Sequence, residues 1–113
     1  MADHDTSRHL PLHPLAFRVL MAVTDGPSFG TEIVQRIEAQ ERSTTLYPAN
    51  LYRRVRDLLA DGLLEECASP EGADPRRTYV RLTAMGRSVA QAEARRLRAL
   101  LIDARAAHLL EDA

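Results

Sequence analysis

The 113-residue sequence predicts a mainly α-helical domain with a small β-hairpin, followed by a long C-terminal helix. Three observations lead to this fold class. Apolar residues recur with helical spacing in three segments of the first half of the chain. Two short extended runs then flank a tip rich in Pro, Gly and Asp, which is typical of a hairpin. Finally, residues 84–110 contain no proline and are rich in Ala, Leu and Arg, which favour helix.

The composition narrows the class of protein. Hydrophobic residues make up 45% and charged residues 27%, the balance of one soluble globular domain. The net charge of −1 does not indicate a polyanionic partner, so any basic surface must be local. All 15 basic residues are arginines, whose planar forks suit bidentate contacts to phosphates or bases. The single Cys67 excludes an intramolecular disulfide, and with no apolar run long enough to span a membrane we expect a cytoplasmic protein.

Residues 1–11 are polar and without periodicity, so they are predicted to form a flexible tail. This segment contains His4 and His9, and His13 lies just beyond it. Two histidines four residues apart could share a metal ion on one helical turn, but Pro11 and Pro14 argue against a regular helix there. No metal site is therefore predicted.

Two amphipathic helices follow the tail. The first is expected to open at Pro14 and to end at the turn formed by residues 25–27, Asp-Gly-Pro. The second spans residues 28–40, and Ser28 or Thr31 is available to cap its start. Their apolar stripes comprise Leu15, Val19, Leu20 and Val23 in the first helix and Phe29, Ile33, Val34 and Ile37 in the second.

The third helix, Tyr47 to Gly62, has two opposed faces. One stripe is apolar, with Leu51, Val55 and Leu58 at helical spacing. The opposite face is polar and carries Asn50, Arg53, Arg56 and Asp57. Arginine can bond O6 and N7 of guanine, and asparagine can bond N6 and N7 of adenine, so this face suits the major groove of DNA. The alternative is an ordinary solvated helix.

A hairpin then completes a winged-helix order of elements over residues 12–83. The runs LLEECAS and RTYVRLT flank the tip SPEGADP. Arg76 and Arg77 lie where the chain leaves the tip and Arg81 follows them, and on a wing they would contact phosphates or enter the minor groove. The alternative is salt bridging to nearby acids, namely Glu65, Glu66, Glu71 and Asp74.

The last segment, residues 84–113, is predicted to be a dimerisation helix capped by Thr83. Its apolar positions alternate by four and three residues, the spacing of a coiled-coil seam. The seam comprises Ala90, Ala94, Leu97, Leu101, Ala104 and His108. At 1.5 Å per residue the helix would be roughly 40 Å long, more than the preceding domain can cover. We therefore expect a homodimer; the alternative is a helix folded back on its own domain.

Three motifs in the sequence resemble the PadR family of bacterial transcriptional regulators, in its short form. These are FGTEI at residues 29–33, PANLYRRVRDLLADGLLEE at 48–66 and DPRRTYVRLTAMG at 74–86. The resemblance implies a dimeric repressor that binds a palindromic operator and is released by an effector. It also implies that Tyr52 contacts DNA, and any effector pocket would be lined by Leu97, Leu101 and their dimer mates.

The predicted DNA-contacting set is Thr45, Tyr47, Asn50, Tyr52, Arg53, Arg56, Arg76 and Arg77. The alternative function is a winged-helix module that binds protein, which the acids Asp57, Asp61, Glu65 and Glu66 would favour. An enzyme is not expected, because no nucleophile with its base, phosphate-binding Gly-rich loop or carboxylate pair can be assigned to a pocket. No cofactor is predicted.

Overall fold

The structure, a computed structural model, describes residues 5–40 and 48–110. Within them the helices are a 3₁₀ turn at Ser7–His9, α1 at Pro14–Ala22, α2 at Gly30–Gln40, α3 at Pro48–Ala60 and α4 at Ala84–Ala106. The strands are β1 at Ser28–Phe29, β2 at Leu64–Cys67 and β3 at Tyr79–Leu82. The predicted fold class, mainly α-helical with a small hairpin, is confirmed.

The sheet contains one more strand than predicted. Strands β2 and β3 form the expected antiparallel hairpin, with Leu64 opposite Leu82. On the other side of β3, the two residues of β1 pair antiparallel, with Phe29 opposite Tyr79. The prediction that the second helix starts at Ser28 was wrong, because the backbone of residues 28–29 bonds to β3 and the helix begins at Gly30.

The core lies between the first three helices and the sheet. The apolar stripe of α3 faces it, with Leu51 and Leu58 buried and Val55 partly buried. Burial of such side chains contributes about 1.5–3 kcal/mol each, which fixes the face of α3 that turns inward. The other fully buried apolar side chains are Val19, Leu20, Val23, Ile33, Ile37, Leu63, Leu64 and Val89.

The N-terminal segment lies on the domain where a flexible tail was predicted. Residues 7–9 form the 3₁₀ turn, and Leu10 packs against the core beside Leu12. Buried Glu93 of α4 receives two hydrogen bonds of 2.7 Å from Arg96. These bonds lower the pKa of Glu93, burial opposes them, and the backbone N–H of Leu12 acts in the lowering direction. Leu10 and Leu12 therefore contribute to the packing of the domain.

His13 caps the first helix. Its Nδ1 atom accepts a hydrogen bond from the backbone N–H of Leu15 at 3.0 Å, just before Pro14 opens α1. Desolvation by neighbouring groups lowers the pKa of His13, and the positive charge of Arg54 lowers it further. Only the neutral imidazole can accept this bond, so the cap exists only while His13 is unprotonated.

Thr83 and Gly86 join α4 to the end of α3. The Thr83 backbone N–H donates to the Leu63 carbonyl at 3.1 Å, and its hydroxyl donates to the Gly62 carbonyl at 2.7 Å. The same hydroxyl oxygen accepts from the Gly86 N–H at 2.9 Å, which confirms the predicted N-cap. A Cβ atom at buried Gly86 would collide with the Leu63 carbonyl oxygen. Glycine is therefore required where α4 crosses this backbone.

We expect Gly86→Ala to destabilise the protein. Overpacking against a backbone carbonyl costs about 3 kcal/mol, the upper end of the usual range, and the better helix propensity of alanine returns up to about 1 kcal/mol, which leaves a net loss of about 2–3 kcal/mol. Urea unfolding monitored by circular dichroism measures the change. The control is Gln91→Ala at an exposed position of the same helix, expected to change stability by less than about 0.5 kcal/mol. Equal stability of the two variants would contradict the close approach.

We also expect His13 to make stability depend on pH. Because its folded pKa lies below the unfolded value of about 6.5, its contribution is complete above that pH and is lost as the pH falls through the folded pKa. The loss should reach about 1 kcal/mol, the worth of a cap. Urea unfolding at neutral and mildly acidic pH, compared with His13→Asn, measures it. Asparagine also caps but does not titrate, so equal pH dependence of both proteins would exclude His13 as the cause.

Candidate nucleic-acid interface

The outward face of α3 presents the polar residues that the sequence placed there. Asn50, Arg53, Arg56 and Asp57 are all exposed, on the side of the helix opposite buried Leu51. Within the described residues, neither Arg53 nor Arg56 has an ion-pair partner. Their guanidinium groups are thus available to a ligand. Thr45 and Tyr47, also predicted to contact DNA, lie outside the described residues.

Tyr52 lies at the contact between α3 and the start of α2. Its side chain is 42% exposed, and its ring covers Gly30. A Cβ atom at Gly30 would lie 2.5 Å from Cε1 of Tyr52, closer than side chains approach one another. Glycine at this position lets the ring sit on the first turn of α2, on the flank of the outward face.

The hairpin arginines differ in their partners. Arg76 is 89% exposed but bonds Asp74 with Nε to Oδ1 and Nη2 to Oδ2, both at 3.2 Å. These bonds lower the pKa of Asp74. On the paired strands, Arg81 donates to Glu65 at 2.7 Å, which raises the pKa of Arg81. The salt bridges that the sequence left open as an alternative are therefore present at Arg76 and Arg81, although solvent screens such exposed pairs and makes them weak.

Arg77 stacks on an aromatic ring. Its Cζ atom lies 4.2 Å from the ring centroid of Phe29 on β1. That ring meets Tyr79 of β3 edge-on, with the centroids 5.2 Å apart and the planes at 68°. In the described part of the chain, no carboxylate lies within ion-pair distance of Arg77. Phe29 was predicted only as part of the apolar stripe of the second helix, because no local pattern in the sequence links it to Arg77.

A polar cleft of about 360 Å³ separates the N-terminal segment from the flank of α3. Arg8, His9 and His13 line one wall, and Arg54 and Asp57 line the other. Arg54 was not predicted to line a cleft, because the N-terminal segment that forms the opposite wall was predicted to be a flexible tail. The cleft widens the charged surface beside the outward face of α3 but leaves that face uncovered.

The first and last residues of the predicted dimer seam lie outside the exposed stripe of α4. Ala90 packs into the core of its own chain, so it is not available to a partner. His108 lies two residues beyond Ala106, the last residue of α4, and has φ of 59°, so it leaves the helical stripe. Between these ends Ala94 is exposed, Leu97 is 38% exposed and Leu101 is 49% exposed, with Ala104 partly buried. Leu100, 52% exposed, widens this uncovered surface, whereas Ile102, 60% exposed, lies about 100° around the helix from Leu101.

The two predicted effector residues lie one turn apart on α4 and differ in their surroundings. Leu97 lines a cleft of about 280 Å³ between α1 and α4, together with Phe17, Met21 and Arg96. Leu101 does not line that cleft. In the described residues, no three His, Cys, Asp or Glu side chains are grouped to hold a metal ion. In that same part of the chain no helix is long and apolar enough to cross a bilayer.

The chain matches the model of the transcriptional regulator PadR-like family over residues 19–92. This range includes all three of the motifs singled out in the sequence. No curated protein sequence matches the chain.

Several solved structures share the fold. A PadR family transcription regulator from Clostridium difficile has 19% identity and a TM-score of 0.71, over 82% of this chain and 96% of that one. The transcriptional regulator BldR from Sulfolobus solfataricus has 21% identity and a TM-score of 0.72, over 95% and 69%. Bacillus subtilis PadR in complex with operator DNA has 16% identity and a TM-score of 0.61, over 73% and 46%. At these identities the likeness establishes the winged-helix fold.

Proposed function

The chain belongs to the PadR-like family of transcriptional regulators, and we propose that it is a repressor that binds a palindromic operator as a homodimer. It is thus a regulator and not an enzyme. We further propose that the protein acts in the cytoplasm and that a small-molecule effector releases it from DNA. One observation carries it: α3 turns Asn50, Arg53 and Arg56 outward while its apolar stripe is buried.

The outward face of α3 has the chemistry of a base-reading surface. Arg53 and Arg56 are exposed, lack acidic partners among the described residues and sit on a rigid helix. A helix of this width fits the major groove, where bidentate contacts from Arg and Asn distinguish the bases. Bacillus subtilis PadR, a structural neighbour, was solved on operator DNA. This supports the same kind of partner here.

A second copy of the chain is the proposed occupant of the exposed face of α4. Leu97, Leu100 and Leu101 are large apolar side chains that the described chain leaves 38%, 52% and 49% exposed. A symmetric pair of such helices would bury them and set two copies of α3 on the same side of one duplex. The half-sites of the operator should then lie about one helical turn, or a small multiple of it, apart.

The cleft between α1 and α4 is the proposed effector site. It brings Leu97 together with Phe17 and Met21, and in the proposed dimer it lies beside the seam. A molecule bound there would change the packing of α4 and hence the angle between the two reading helices. Leu101 would contribute to such a pocket only through the dimer seam.

A protein-binding winged helix is the second candidate. Exposed Asp57, Asp61, Glu65 and Glu66 lie near the outward face and would repel phosphates. The salt dependence of binding separates the two candidates, because contacts to phosphates weaken steeply as salt rises. If the protein protects an inverted repeat upstream of its own gene from cleavage, this would directly support its proposed function as a repressor.

We expect Arg53→Ala and Arg56→Ala each to cost about 1–3 kcal/mol of binding to the specific operator, because each removes a base contact. Fluorescence anisotropy on operator and scrambled duplexes measures the loss and its sequence dependence. The control is Arg98→Ala, which removes the same charge from an exposed position on α4. A loss in the control equal to that in the α3 variants would mean that only net charge matters.

We expect Leu101→Glu to convert the dimer into monomers, because two buried carboxylates would face each other across the seam. Leu101 is exposed in the single chain, so the fold of each copy should survive. Light scattering across a concentration series gives the mass, and circular dichroism verifies the fold. Gln91→Glu adds the same charge on α4 outside the seam and should remain dimeric. A dimeric Leu101→Glu protein would place the subunit contact elsewhere.

A further inference from the structure

We propose that Phe29 is a positioning residue for DNA binding, whose ring presents Arg77 to a backbone phosphate. This inference rests on the proposed function and deepens it, because it assigns the wing contact to Arg77 in preference to Arg76. From the sequence, both Arg76 and Arg77 are predicted to contact phosphates. The structure gives them different surroundings.

Arg77 is held by a ring and not by an acid. Its guanidinium carbon lies 4.2 Å above the Phe29 centroid, inside the range of cation–π attraction. Such stacking leaves the charge and the N–H donors of the guanidinium free for another partner. The Arg77 charge also lowers the pKa of Asp74, but the hydrogen bond that joins the two runs from the Arg77 backbone N–H to the Asp74 backbone carbonyl at 3.2 Å and does not involve the guanidinium.

Arg76 is already occupied. Two side-chain bonds of 3.2 Å join it to Asp74, whose carboxylate also accepts from the Arg76 backbone N–H at 2.9 Å. A phosphate approaching Arg76 would meet this negative charge beside the guanidinium and would have to displace it. Of the two neighbouring arginines, Arg77 therefore offers the stronger field to a polyanion.

The Phe29 ring is itself fixed. Its backbone pairs with Tyr79 in the sheet, and the Tyr79 ring packs edge-on against it at 5.2 Å. The next residue, Gly30, lies under the ring of Tyr52 on α3. Residues 29 and 30 thus touch both the wing arginine and the reading helix. This short segment sets the distance between the phosphate contact and the base-reading face.

The test is a double-mutant cycle on binding to a duplex, measured by fluorescence anisotropy at several salt concentrations. Arg77→Ala should lower affinity about tenfold per wing near 0.1 M salt and reduce the salt slope by about one. Phe29→Leu, which keeps an apolar side chain but removes the ring, should lower affinity about threefold to fivefold per wing. In the Arg77→Ala background, Phe29→Leu should have no further effect.

Two controls accompany the cycle. Phe29→Tyr retains the aromatic face and should bind within about twofold of the parent protein. Arg76→Ala should also stay within about twofold, since Asp74 already offsets its charge. The proposal is overturned if Phe29→Leu weakens binding equally with and without Arg77, which would mark a purely structural role. It is likewise overturned if Arg76→Ala weakens binding as much as Arg77→Ala.

A measurement without DNA separates this proposal from the proposed function. In the free protein, the side-chain protons of Arg77 should show an upfield ring-current shift that Phe29→Leu removes. Absence of that shift overturns the role of Phe29 even if the protein binds DNA. Failure of the parent protein to bind any duplex at low salt overturns the proposed function, and the positioning role with it.

Discussion

The structure depends on the division of α3 into a buried and an exposed face. Leu51 and Leu58 anchor the helix in a core that also receives α1, α2 and the sheet. In a chain of this size each such side chain is a sizeable part of the net stability, so the helix cannot rotate without losing the core. The direction in which Arg53 and Arg56 point is therefore fixed by residues that never meet a ligand.

The junction at Thr83 carries this constraint into the rest of the molecule. Its three hydrogen bonds join Gly62, Leu63 and Gly86, so the end of α3, the hairpin and the start of α4 share one point. Gly86 lets the helix pass directly over the Leu63 carbonyl. The hairpin, α3 and α4 consequently keep fixed relative positions.

Features encoded by local sequence were predictable. The stripe of Leu51, Val55 and Leu58, the Thr83 cap and the hairpin between residues 64 and 82 each rest on neighbouring residues. The family followed from motifs, and the match over residues 19–92 confirmed it. The outward placement of Asn50, Arg53 and Arg56 followed from helical periodicity alone.

Features that depend on distant partners were not predictable. A two-residue strand at Ser28 has no periodicity of its own, and only pairing with β3 defines it. The heptad spacing identified the face of α4 that carries Ala90. It could not show that the core of the same chain would cover this residue. The stacking of Arg77 on Phe29 joins residues from separate elements. The end of α4 before His108 had neither glycine nor proline to mark it.

The way α4 is anchored has a mechanical consequence. Its first turns belong to the globular body through Val89, Ala90 and Glu93, and the same unbroken helix then extends outward with its leucines uncovered. No hinge separates the anchored part from the free part. In the proposed dimer the helix would act as a stiff lever, so a small tilt between the two copies of the chain would be transmitted in full to both copies of α3.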